Sequence, residues 1–310
     1  MKIEGAKAIV FVNPCAGGGK AGRRIADARA EFARHNFEVR FIEAMSTEEF
    51  RTKVRAAVAE GCRLLVAMGG DGTLQLLVRE TIGHDASIGV IPVGGGNDFA
   101  AALGIRNWKQ AVLAIAEGKT DLVDIARATF VDGEKAEYLG GGGVGLDAEA
   151  ARYASGKFLK WPGRLRYLAS AIAALRAYPG VHVEIEFRGS DRPALLRRAL
   201  LAAALNTPSY GGGVRLAPEA RLDDGALDFV IIEMLSGLEV ARLIPRLLLT
   251  GEFGTRHVTR VRAAKAIFST EEGSMFHGDG ELLGNAPVQI EVLPKAIRVF
   301  VPENLREGNG

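Results

Sequence analysis

Five consecutive residues, Gly69-Gly70-Asp71-Gly72-Thr73, restrict the fold of this 310-residue chain more than any others. They follow an apolar run, Leu64-Leu65-Val66-Ala67-Met68, whose length and composition predict a buried strand. They precede residues 74–81, which predict the opening turns of a helix. A strand that empties through glycines into a helix start is suited to an anion. Glycine lets the backbone approach closely, and the helix N-terminus presents N–H donors. Asp71 does not belong in a plain anion site. A carboxylate beside phosphates repels them unless a cation lies between or a hydroxyl is being recognised. The stretch therefore points to a nucleotide phosphate accompanied by Mg²⁺. The plainer alternative is a glycine-rich turn with a polar cap, since glycine loops alone are weakly specific.

The chain is long enough for two domains with cores of their own. Its net charge of +2 gives no nucleic-acid signal at the level of the whole chain. Cys15 and Cys62 are too few for a disulfide framework, and a reducing cytoplasm is the simple inference. Residues 1–5 show no signal-peptide pattern. The longest apolar runs, such as 199–205, are too short to span a bilayer, so any membrane contact is expected to be peripheral.

Residues 7–12 predict a first strand that leads into Asn13-Pro14-Cys15-Ala16-Gly17-Gly18-Gly19-Lys20-Ala21-Gly22. Helical periodicity follows over 25–35, a second strand over 38–42 and a helix over 48–60. After the central strand, residues 88–93 predict a fourth strand, which empties into Gly94-Gly95-Gly96-Asn97-Asp98-Phe99-Ala100. Helix continues to Leu103, and a further helix covers 109–117. This alternation indicates a doubly wound α/β domain with a parallel sheet over 1–125. In such sheets ligands bind at the carboxyl ends of the strands, where all three glycine loops fall, so one cleft is expected to collect them.

From about residue 122 the texture changes. Strand-like runs crowd together at 122–130, 137–139, 181–187, 199–205, 226–233, 266–270, 288–293 and 297–301. Two helical regions, 163–178 and 237–250, interrupt them. This predicts a second, β-rich (α+β) domain over 126–295 with a helical insert. No internal repeat is present, and the tail from Asn304 is polar.

The first loop also matches a dinucleotide fingerprint. Gly17-Gly18-Gly19-Lys20-Ala21-Gly22 lies between a strand and a helix, and Glu43 follows about twenty residues on. A dinucleotide-dependent oxidoreductase is thus a rival. Against it, Asn13-Pro14 separates the strand from the glycines and Lys20 falls beside the would-be pyrophosphate. The loop is no Walker A motif, because Ala21 follows Lys20 and the upstream glycine is missing. Cys15 reads as a small packed residue rather than a nucleophile.

Taken together, Asn13-Pro14 with its glycines, Gly69 to Thr73, and the Pro92…Asn97-Asp98-Phe99-Ala100 segment resemble the diacylglycerol kinase catalytic-domain family, the bacterial lipid kinases. Tyr210-Gly211-Gly212-Gly213…Ala217-Pro218, Leu222-Asp223-Asp224-Gly225-Ala226-Leu227-Asp228 and Asp279-Gly280-Glu281 extend the match in order over nearly the whole chain. Gly-Gly-Asp-Gly-Thr is shared with NAD kinases and phosphofructokinases. The Asn-Asp-Phe-Ala segment and the late Asp-Gly-Glu point to the lipid kinases.

The resemblance implies a two-domain lipid-kinase architecture with nucleotide in the interdomain cleft. It implies transfer of the γ-phosphoryl of ATP, with Mg²⁺, to a lipid hydroxyl such as that of diacylglycerol. It leaves room for the last strand, near 296–302, to return to the first domain, and for a homodimer. On this reading Asn13, Pro14, Cys15, Ala16 and Gly17 cradle phosphates, as do Gly69, Gly70, Asp71, Gly72 and Thr73. Lys20 and Arg23 neutralise charge, and Gly95, Asn97 and Asp98 complete the nucleotide site, with Asp71 and Asp98 as candidate Mg²⁺ or nucleotide contacts. Phosphoryl transfer needs positioning and charge neutralisation more than covalent help, which agrees with such a set. Asp279 or Glu281 is implied as the general base for the lipid hydroxyl, with an Asp-Gly hairpin turn as the structural alternative. The Arg221–Ala226 loop resembles the family's structural Mg²⁺ site, with the carboxylate of Asp224 and main-chain oxygens of about Arg221 and Ala226. A hairpin turn with acidic residues is nearly as good a description.

Four positions depart from the expected pattern. Gly95 stands for a threonine, Gln75-Leu76 for an Asn-Glu pair, and Gly140 for an asparagine. They raise two alternatives: a soluble acceptor such as NAD, or nucleotide binding without turnover. Residues 152–168 mix Lys157, Lys160, Arg164 and Arg166 with Trp161, Tyr153 and Tyr167, as a lipid-docking surface does. A helix with one solvated basic face explains them equally well.

Overall fold

The computed structural model describes residues 8–146, 178–189, 192–236, 239, 257–271 and 273–303. The basic–aromatic segment over 152–168 lies outside these residues, as does all but the last residue of the helical region expected over 163–178 and nearly all of 237–250. The chain divides into two compact units, Met1–Val123 with Lys295–Gly310, and Asp124–Pro294.

The first unit alternates strand and helix. Its elements are β1 (Ala8–Val12), α1 (Ala16–Arg23), α2 (Ile25–Arg34), β2 (Val39–Glu43), α3 (Thr47–Ala59), β3 (Leu64–Gly69), α4 (Asp71–Arg79), β4 (Ser87–Pro92), α5 (Asp98–Ala102) and α6 (Trp108–Glu117). β1 is parallel to β2 on one side and to β3 on the other, and β3 is parallel to β4. The edge beyond β4 is closed by the end of the last strand, where Arg298 pairs with Ser87 and Val299 with Ile88, again in parallel. β1 and β3 are buried along most of their length, as continuous apolar runs in a two-faced parallel sheet must be. The order 2-1-3-4 reverses direction at β1/β3, and such a switch point opens a crevice at the strands' carboxyl ends.

The second unit is β-rich and its pairs are antiparallel. It holds β5 (Thr120–Phe130, beginning in the first unit), β6 (Lys135–Tyr138), β7 (Gly141–Gly145), β8 (Val181–Phe187), β9 (Leu195–Leu205), β10 (Leu227–Glu233), β11 (Val258–Ala263), β12 (Lys265–Thr270), β13 (Met275–Gly278), β14 (Glu281–Asn285) and most of β15 (Val288–Phe300). β9 is the hub: it pairs with β8 along Leu195 to Ala199, with β7 along Leu201 to Leu205, and with β10. A core of Phe130, Tyr138, Phe229, Phe268 and Phe276 fills the space against these strands.

Three differences from the sequence expectation stand out. Residues 288–293 and 297–301 form one strand, β15, not two. β11, β13 and β14 are strands that the sequence pattern left as connections. The glycine run Gly141–Gly145 is a buried strand, although glycine is depleted in strands. The reason is crowding. A Cβ on Gly142 would stand 2.7 Å from the His277 carbonyl oxygen, and one on Gly143 would stand 2.5 Å from that of Ala202. Only glycine lets β7 sit between β9 and β13.

Candidate active site

In the first unit three loops interlock at the carboxyl ends of β1, β3 and β4. Asn13 starts the first. Its N–H donates to the Met68 carbonyl at 3.2 Å, tying the loop to β3, and its Oδ1 accepts from the Cys15 N–H at 3.2 Å. Gly17, Gly18 and Gly19 then hold φ of 62°, 69° and 82°, which kinks α1 within its first turn. A Cβ on Gly17 would overlap the carbonyl oxygen of Val93 just beyond β4, so the first and third loops touch through a position only glycine can fill. Cys15, Lys20 and Arg23 are exposed along this loop, and Pro14, Ala16 and Gly17 are partly buried. The Arg23 guanidinium folds back to the Gly18 carbonyl at 3.4 Å.

The second and third loops are joined more tightly. The Gly69 carbonyl accepts from the N–H groups of Val93 (2.9 Å) and Gly94 (3.2 Å). A Cβ on Gly94 would lie 2.5 Å from the Gly70 Cα. Asn97, in the left-handed region at φ 61°, grips Gly94 through both amide atoms: Oδ1 accepts its N–H at 3.1 Å and Nδ2 donates to its carbonyl at 3.0 Å. Asp71 opens α4 and reaches across to α5, where its two carboxylate oxygens accept the N–H groups of Asp98 and Phe99, both at 3.2 Å. Its charge thus caps a second helix. Thr73 lies inside, 5% exposed, against Gly69. Gly72 and Gly95 are exposed at the rim. Gly94 and the Val93 carbonyl are part of this arrangement, although the sequence reading did not single them out; the glycine triplet was their signal.

The cradle fits phosphate: glycines where a Cβ would clash, a helix start, and Lys20 and Arg23 on the exposed side. Beside it an open groove of about 710 Å³ is lined by Arg23, Arg29 and Glu43 among others.

In the second unit Asp279-Gly280 is the turn of the β13–β14 hairpin, with φ of 49° and 87°. Positive φ at both central residues is what a tight hairpin of this hand requires. Asp279 does more than turn the chain. Its carboxylate accepts the N–H groups of Leu139 (2.6 Å), Gly140 (2.9 Å) and Gly141 (3.1 Å), and so fixes the start of β7. A Cβ on Gly140 would stand 3.2 Å from Asp279 Oδ1, so glycine here lets the carboxylate rest on the backbone. Glu281, partly buried, opens β14 opposite Gly278. Two aromatic residues flank this anchor: the Tyr210 hydroxyl lies 2.7 Å from His277 Nε2, with the rings within 11° of parallel. His277 is 2% exposed, and sequence reasoning missed it because a lone histidine carries no pattern. Tyr138 is fully buried beneath, and burial, reinforced by the Asp279 charge, pushes its hydroxyl well above the usual tyrosine value.

The third predicted site, at Arg221, Asp224 and Ala226, does not fit Mg²⁺. Asp224 Oδ1 accepts the Ala226 N–H at 3.1 Å, and Oδ2 lies 2.7 Å from Arg262 Nη2. A cation must displace that guanidinium and approach within its repulsion. The Arg221 side chain pairs with Asp223, at 3.1 Å, and the expectation at Arg221 concerned its main-chain oxygen. Among the described residues no group of three or more His, Cys, Asp or Glu side chains could hold a metal ion. Among them also, no helix is long and apolar enough to cross a membrane.

Known proteins resemble the chain over nearly its whole length. Residues 7–128 match the family described as diacylglycerol kinase catalytic domain, and residues 142–301 match the YegS C-terminal NAD kinase beta sandwich-like domain. A diacylglycerol kinase of Mycobacterium tuberculosis (strain ATCC 25618 / H37Rv) is 28% identical over 301 residues, covering 96% of each chain. A protein of Stenotrophomonas maltophilia (strain K279a) named "Probable lipid kinase YegS-like" is 31% identical over 264 residues, covering 80% of this chain and 82% of its own. The crystal structure of a diacylglycerol kinase from Bacillus anthracis str. Sterne superposes with a TM-score of 0.71 at 20% identity, over 98% of this chain and 100% of the other. The chain belongs to the diacylglycerol kinase catalytic-domain family, in the branch with the YegS-type C-terminal domain.

Proposed function

We propose that this protein is an ATP- and Mg²⁺-dependent lipid kinase that moves the γ-phosphoryl of ATP to a lipid hydroxyl, with diacylglycerol as the leading acceptor and phosphatidic acid as the product. The observation that carries this reading is the interlocking of three glycine loops at the β1/β3 switch point. Backbone N–H groups and the exposed Lys20 and Arg23 hold the phosphates there. Asp71 keeps α4 and α5 in register under them. Mg²⁺ bound with the nucleotide would offset phosphate charge, near Asp71 and Asp98. In the second unit Asp279 has three backbone donors on its carboxylate, which makes Glu281 the better acceptor for the proton of the lipid hydroxyl. Asp279 positions the hairpin that carries it. The family names of the relatives support the lipid acceptor.

The decisive experiment follows labelled phosphate from ATP with Mg²⁺ to dispersed diacylglycerol, ceramide, sphingosine and undecaprenol, with NAD alongside. Label in diacylglycerol is expected. Label on NAD alone transfers the protein to a soluble acceptor, and a thermal shift by ATP with no label anywhere makes it a nucleotide binder without turnover. Glu281→Gln is expected to lower kcat by about 10²–10⁴-fold with the ATP-induced thermal shift intact. Full turnover in this variant removes Glu281 from the proposed role.

A further inference from the structure

One side of the loop between Leu216 and Asp228 is held from β11. Arg260 and Arg262 are two apart on β11, so both side chains leave the same face of the strand. Arg260 Nε donates to the Leu216 carbonyl at 2.6 Å. Arg262 Nη2 donates to the Glu219 carbonyl at 3.0 Å and lies 2.7 Å from Asp224 Oδ2, while its Nε lies 3.7 Å from Asp228 Oδ2. One guanidinium therefore gathers a main-chain carbonyl and two carboxylates. That is the ligand chemistry a hard divalent cation seeks, met here by one hydrogen bond and two ion pairs from a single planar guanidinium. Cross-strand pairing aims it: Arg262 stands directly opposite Asp228 in the β10–β11 register. The far side of the loop is held from β5. The fully buried Asp124 accepts the Gly225 N–H at 2.7 Å on its carboxylate and donates its own N–H to the Leu222 carbonyl at 2.6 Å.

We infer that Arg262 takes the place of a structural divalent cation in this protein, so that the Leu216–Asp228 loop holds its conformation without metal. The two arginines balance Asp224 and Asp228, and Arg262 lies on the path an ion would take to Asp224. The inference concerns the architecture of the second unit and does not depend on which acceptor is phosphorylated.

The test uses the full chain without nucleotide. Its unfolding midpoint is measured in EDTA and in millimolar Mg²⁺, for the native protein and for Asp224→Asn. Chelation is expected to leave the native midpoint unchanged, and Mn²⁺ binding followed by electron paramagnetic resonance is expected to be the same in both proteins. A native midpoint that falls on chelation while that of Asp224→Asn does not, or a bound Mn²⁺ that Asp224→Asn abolishes, overturns the inference. Arg262→Met supplies the converse. Its midpoint is expected to drop, and to recover in part with added Mg²⁺, because two carboxylates are left without their cation. A midpoint equal to the native one would show that Arg262 holds nothing. Comparison in EDTA alone decides the matter even if Arg262→Met does not fold.

Discussion

Gly17 and Gly18 share a left-handed backbone but differ in surroundings. Gly18 has open space where a Cβ would go, whereas Gly17 is pressed on the Val93 carbonyl. Gly18→Ala is therefore expected to cost about 1–2 kcal/mol, the price of the conformation alone. Gly17→Ala adds a backbone clash and is expected to push the first loop off the third, with loss of the ATP-induced thermal shift. Equal effects of the two substitutions would show that the contact with Val93 is unimportant. Gln75 makes the opposite case. It is 1% exposed, and among the described residues neither Nε2 nor Oε1 has a hydrogen-bond partner. A buried amide without partners carries an uncompensated desolvation cost of roughly 1–3 kcal/mol. Gln75→Leu is expected to raise stability by about 1 kcal/mol or more in denaturant unfolding, and a destabilised variant would reveal a partner for the amide. At this scale the sequence showed where glycine is needed but not why. Gly17 and Gly18 look alike in the string and differ only in what lies against them.

Helix α3 shows how an element's ends respond to conditions. Ser46 accepts the Glu49 N–H at 3.2 Å, and Glu49 Oε2 accepts the Met45 N–H at 2.7 Å, a reciprocal capping arrangement. Lys53, hydrogen-bonded at 2.6 Å, together with the Met45 N–H, holds the Glu49 carboxyl below the usual carboxylate range. A carboxyl depressed by folding binds fewer protons folded than unfolded. Its contribution is thus complete above the ordinary carboxylate value and lost as pH falls through the lower folded one. Protection factors of the amides at the start of α3, which take out the intrinsic pH dependence of exchange, are expected to fall over that window in the native protein and to be less pH-dependent in Glu49→Gln. Ser46→Ala is expected to cost about 1 kcal/mol at any pH. The α/β elements were legible because helix and strand periodicities are local. α3 was expected over 48–60 and runs Thr47–Ala59. β7 was not legible, because a strand of glycines has no side-chain period. The packing of Ala202 and His277 on either side makes it one.

At the scale of the whole molecule, the last residues matter to the first unit. Val299, Phe300 and Val301 are all buried, Val299 pairs with Ile88, and the Val301 N–H donates to the Lys119 carbonyl at 3.0 Å. A chain ending at Pro294 strips the parallel edge from β4, and is expected to express as aggregate or to lose the ATP-induced thermal shift. A truncated protein with the native unfolding profile would show this edge to be dispensable. By itself the sequence determined the alternation of strand and helix, the change to a β-rich second half, and the three glycine loops with their family resemblance. Each of these is written in neighbouring residues: period, turn chemistry and short spacing. Only the tertiary structure decided that Asp71 caps α5, that Asp279 anchors the backbone of Leu139 to Gly141, and that Arg262 occupies Asp224. In each case a donor 27 to 140 positions away, a backbone N–H for Asp71 and Asp279 and a guanidinium for Asp224, claims a carboxylate that the string alone leaves open to a metal or a proton. Charges act through space, and the distances that rank those partners exist only once the chain has folded.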